Sequence, residues 1–112
     1  MRIVAGCLVA LVLFGQVTSS QADYLVGPGA FPCATWTADR HSRQPEVAWM
    51  DLGWVLGFLS GIGLSGTDEM RNVLRGGADP GSIQAWIDDY CAVHPSDKII
   101  MAAIRYMAEH KH

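Results

Sequence analysis

The stretch from Glu46 to Leu64 constrains the fold more than any other part of the chain. Apart from Glu46 and Asp51 it is uncharged, yet Gly53, Gly57, Gly61 and Gly63 punctuate it. On a helical wheel Gly53, Gly57, Ser60 and Gly61 fall within one arc of about 100°. Val47, Trp49, Leu52, Trp54, Val55, Leu56, Phe58, Leu59 and Ile62 take most of the remainder. A helix that is apolar nearly all round has to be buried on several sides. The small-residue stripe is then expected to let a neighbouring helix approach closely. A membrane span is not expected, because Asp51 interrupts the run and only about 13 uncharged residues follow it, against the roughly 20 that a bilayer needs. On the wheel Val47, Trp54, Val55 and Phe58 surround Asp51, which makes it a candidate buried carboxylate. Such a group needs an arginine or a tryptophan indole, or else it marks a contact surface. Trp49, Leu52, Leu56 and Leu59 run along one side and form a candidate protein-binding surface.

The start of the chain reads as an export signal. Met1-Arg2 is followed by Ile3 to Phe14, uncharged and rich in Val, Leu and Ala, and Ser20 and Ala22 stand three and one residues before a cleavage point. Residues 1–22 are therefore expected to be removed, leaving one domain over 23–112. Val4-Ala5-Gly6-Cys7 looks like a lipoprotein box but precedes the apolar run instead of following it. Cleavage takes Cys7 with the leader, so Cys33 and Cys91 remain, an even number in an oxidising compartment, and their pairing is the expectation. Without Arg2 the mature chain holds seven basic and eleven acidic side chains, a charge of −4. That balance disfavours nucleic acid and anionic membrane surfaces as partners. A periplasmic or secreted location follows.

Along the mature chain, residues 23–32 hold two glycines and two prolines and read as an irregular lead-in. A short helix is predicted over 33–40, with Cys33 and Trp36. The long helix follows from Pro45. Gly63 to Gly66 should break it, and Thr67 caps a short helix that ends near Arg75, before Gly76-Gly77. Asp79-Pro80 opens another, with Ile83, Trp86, Ile87, Tyr90, Cys91 and Val93 on its buried face and Gln84, Asp88 and Asp89 on its solvated one. A last helix over 97–109 should bury Ile100, Ala103, Ile104 and Met107. The fold class is thus all-α, a small single-domain bundle of four to five helices with one disulfide.

Catalytic chemistry finds little support. Asp88 and Asp89 are adjacent and point about 100° apart on a helix, so they are a poor dyad. His41, His94, His110 and His112 have no spacing that sets two metal ligands on one rigid element. Ser60 lacks the glycine two residues before it that a nucleophile elbow needs. The chain is read as non-enzymatic, with no cofactor and no metal.

The pattern Cys33-x-x-Trp36, an apolar helix from Trp49 to Ile62, then Ile83 to Cys91 and a helix after Pro95 resembles the small periplasmic acid-stress chaperones of the HdeA/HdeB type. That resemblance implies a single disulfide joining the first helix to a later one. The segment Trp54-Val55-Leu56-Gly57-Phe58-Leu59-Ser60-Gly61 also resembles the core of Tai-type immunity proteins, which block cell-wall amidase toxins of type VI secretion. Both families imply a periplasmic protein that binds other proteins, either unfolded clients or one toxin, and a homodimer is among the partner expectations. The chaperone resemblance further implies that acid exposes Trp49, Leu52, Leu56 and Leu59, as protonation takes the side-chain charge from −4 to +11.

Overall fold

The computed structural model describes residues 24–75 and 78–111. The expected leader over 1–22 and the Gly76-Gly77 break lie outside the described residues. A 3₁₀ turn, Pro28–Ala30, precedes five α-helices: α1 Cys33–Arg40, α2 Pro45–Ser65, α3 Asp68–Arg75, α4 Pro80–Val93 and α5 Ile99–Glu109. The domain is all-α and carries the Cys33–Cys91 disulfide, which joins the first turn of α1 to the last turn of α4.

Local chemistry explains most boundaries. Pro45 opens α2 where no N–H is needed. The Thr67 hydroxyl accepts the Met70 N–H at 3.3 Å ahead of α3, and Asp79 accepts the Ser82 N–H at 3.0 Å at the head of α4. α2 runs through Gly63 to Ser65, past the expected break. Within the helix Gly63 faces Leu74 of α3, where an added Cβ would sit 2.9 Å from the Leu74 side chain.

The start of α5 is set by tertiary contact. Pro32 and Lys98 form an isolated antiparallel bridge, in which Ile99 N–H donates to the Phe31 carbonyl at 2.9 Å and Cys33 N–H to that of Asp97. The bridge delays α5 to Ile99 and fixes its rotation. Ile99, Ala102, Ala103, Tyr106 and Met107 are therefore inside, whereas Ile104, expected in the core, is exposed and Ile100 is half-buried. Val93 is likewise exposed, since α4 ends there beyond the reach of its neighbours.

The core packs Trp36, Val55, Leu59, Ile87 and Ile99 around the disulfide, each at most 1% exposed. Asp88, expected on the solvated face, stays about a third exposed at the rim of this frame and is tied into it. It accepts the Trp36 indole N–H at 2.8 Å and is held bidentately by Arg40 at 2.9 and 3.0 Å. Burial pushes Asp88 up, but the hydrogen bonds from Arg40 and Trp36 and the Arg40 charge outweigh it and leave it below the usual carboxylate range.

Candidate functional site

The outer face of α2 departs furthest from expectation. Its inner face, Ala48, Asp51, Val55 and Leu59, is buried. The small-residue stripe points the other way, and among the described residues no helix rests on it. A Cβ added at Gly53, Gly57 or Gly61 would meet nothing within 4 Å. Trp49, Met50 and Leu64 flank the stripe at 74%, 66% and 84% exposure. Of the surface expected from Trp49, Leu52, Leu56 and Leu59, only Trp49 is exposed. Leu59 is a core residue at 1% exposure, and Leu52 and Leu56 are half-buried against the core. The four share one side of the wheel, but Leu59 lies at its edge toward Val55 while Trp49 lies at the edge toward Gly53.

Asp51 is 3% exposed. Among the described residues neither an arginine nor an indole hydrogen-bonds to it, and its Oδ2 has no hydrogen-bond partner. Its neighbour across the α1–α2 contact is another carboxylate, Asp39. Burial first, then a hydrogen bond to Asp39 and the Asp39 charge, raise the Asp51 pKa to about 7. One proton shared between two carboxyls is cheaper there than two charges.

The third feature is a groove of about 590 Å³ between α4 and α5, lined by Trp86, Asp89, Tyr90, Val93, His94, Asp97, Arg105 and Glu109. Trp86, Tyr90 and His94 stand one turn apart on α4 and stack in a ladder, with ring centroids 5.5 and 4.4 Å apart. Tyr106 abuts the edge of Trp86 at 5.6 Å from behind. The Tyr90 hydroxyl donates to Asp97 at 2.6 Å. That hydrogen bond, then burial and the Asp97 charge, hold the Tyr90 phenol above its ordinary pKa. His94 lies 4.0 Å from Asp97, and its backbone N–H caps α4 on the Tyr90 carbonyl. The lining carries three carboxylates and one arginine and no serine, threonine or cysteine. The sequence reading missed this groove by assigning Trp86 and Tyr90 wholly to the core. The signal was present in the aromatic spacing 86, 90, 94 followed by Asp97.

Among the described residues no group of three or more His, Cys, Asp or Glu is placed to hold a metal ion. Ser60 is occupied with the Leu56 carbonyl of its own helix at 2.7 Å. By length and composition alone α2 could cross a membrane, though its inner face is taken up by the domain core. The fold and these surfaces define a small, disulfide-stapled helical domain. Comparisons with protein-family models, curated proteins and solved structures find no match to the chain.

Proposed function

We propose that this protein acts without catalysis, by binding another protein outside the cytoplasm, and that the α4–α5 groove receives that partner. The observation that carries this reading is the convergence of Trp86, Tyr90 and Arg105 on one concave surface. Trp, Tyr and Arg are the side chains most enriched where binding energy concentrates. Their frame is fixed in advance by the Tyr90–Asp97 hydrogen bond and by Tyr106 behind Trp86, which lowers the ordering cost of association. Asp89, Asp97 and Glu109 outweigh Arg105, so the inserted segment of the partner is basic.

A pre-formed groove suits a dedicated inhibitor or immunity protein, the second of the two resemblances, better than a chaperone surface released by acid. The disulfide supports an extracytoplasmic setting in the same direction. The test uses two exposed charges, Asp89 and Arg105. The protein should capture one stoichiometric partner from periplasmic extract at neutral pH, and Asp89→Lys should weaken that capture by at least about tenfold, one pKd unit. Capture of many unfolded proteins only in acid, unaffected by Asp89→Lys and Arg105→Glu, would return the reading to the acid-stress chaperone.

A further inference from the structure

The outer face of α2 places large apolar side chains at its two ends and small ones between them. On the wheel Glu46, Trp49, Met50, Gly53, Gly57, Ser60, Gly61 and Leu64 share one arc of about 120°. Trp49, Met50 and Leu64 are 74%, 66% and 84% exposed, large apolar side chains turned to solvent at the two ends of one helix face.

We infer that this face pairs with the same face of a second copy of the chain, the two α2 helices running antiparallel about a twofold axis between Gly53 and Gly57. Size selects that arrangement. With the axis there, Trp49 of each copy meets Ser60 of the other and Met50 meets Gly61, so these two large side chains lie over small ones, while Leu64 comes level with Glu46 of the other copy. Gly53 and Gly57, open on the surface of one copy, let the backbones approach at the axis. A parallel pairing would set Trp49 against Trp49 and Leu64 against Leu64. A twofold contact needs such a self-complementary patch, residue i on j and j on i.

Charge selects the same arrangement. Glu46 lies in the first turn of α2 on the exposed face. At the other end, a groove beside Ser60 and Leu64 is lined by Arg71 and Arg75 of α3. Arg71 also pairs with Asp68 of its own helix at 2.9 Å, and the Asp68 and Glu69 side chains do not line the groove. Antiparallel pairing brings Glu46 of each copy to the arginine pair of the other, and it also sets the helix dipoles in opposition.

The purified protein should sediment as a dimer in a concentration-dependent way. Gly57→Lys puts a better helix former than glycine at an open position but adds bulk and like charge at the axis, and it should raise the dimer Kd at least about 100-fold, two pKd units. Far-UV circular dichroism confirms that the variant is folded. Orientation is read by cysteine pairing at exposed positions. A mixture of Met50→Cys and Gly61→Cys chains should cross-link to each other, whereas Leu64→Cys should not cross-link to itself. A wild-type chain that stays monomeric overturns the inference, as does a Leu64→Cys self-pair or a missing 50-to-61 cross-link. Partition into neutral phosphatidylcholine vesicles in place of dimerisation would assign the face to a membrane and overturn it equally. These outcomes leave the α4–α5 groove untouched, because no residue substituted here lines it.

Discussion

Two aspartates that both engage α1 titrate in opposite directions. Asp51 holds its proton up to about pH 7, whereas the ordinary value is 3.8. Its contribution to stability is therefore complete below about pH 3.8 and is lost as pH rises through about 7. Asp88, held low by Arg40 and Trp36, contributes above the usual carboxylate range and loses that contribution in acid. Mild acid therefore strengthens the α1–α2 contact, through Asp39 and Asp51, while strong acid weakens the α1–α4 contact. Asp51→Asn keeps the shape and offers Asp39 a permanent donor. At pH 8 the variant should exceed the wild type in urea stability by about 1–4 kcal/mol, and near pH 4 the two should agree within about 1 kcal/mol. An equal loss at both pH values would show that Asp51 is not the proton-holding member. That Asp51 is buried could be read from its wheel neighbours. That its neighbour is Asp39 could not, since nothing in a local pattern brings two like charges from separate helices together.

Among the elements, the least regular segment has the strictest packing. Gly27 adopts φ +91°, in the left-handed region, and a Cβ at Gly29 would lie inside the Trp54 ring. Trp54 in turn donates its indole N–H to the Val26 carbonyl at 2.8 Å and stacks on Phe58. The lead-in is thus folded around one side chain of α2. Gly29→Ala should cost about 1–3 kcal/mol by overpacking. Gly57→Ala, in open space on the same helix, should gain about 0.5–1 kcal/mol in dilute solution, where the chain is monomeric. Thermal unfolding of the pair checks both, and a neutral Gly29→Ala would mean that Trp54 moves freely. Caps and proline positions made the helices predictable: Pro45, Thr67 and Asp79 each announce a start. The phase of α5 was not predictable, because a bridge from Pro32 to Lys98 sets it. The direction of the α2 stripe was misread for a related reason. Small residues are compatible with close packing wherever they point, so only the surrounding helices reveal which face is inside.

For the molecule as a whole, one covalent link and one small core share the load. A domain of this size buries a modest fraction of its surface. Closing the loop between Cys33 and Cys91, with a sequence separation of 58, contributes about 4 kcal/mol in the chain-entropy model. Replacing both cysteines with alanine should lower the urea-extrapolated stability by about 2–5 kcal/mol at neutral pH. The loss should be more damaging in acid, where eight Lys and Arg and four His bring the side-chain charge of the full chain to +12, and the cross-link limits expansion. Dye binding that rises no earlier on acidification of the alanine variant than of the wild type would contradict that division of labour. The same link bears on how the protein is made. In any transfer that begins at the N-terminus, Cys33 emerges early and its mate emerges only after α4 has followed, so the thiol must wait through most of the chain's passage. With Cys33 and Cys91 alone, that wait carries no risk of a wrong partner, and an oxidant suffices without an isomerase. Wherever Cys7 stays on the chain it meets Cys33 first and turns a single outcome into a choice of three pairings, so the order in which sulfurs meet depends on whether residues 1–22 are retained.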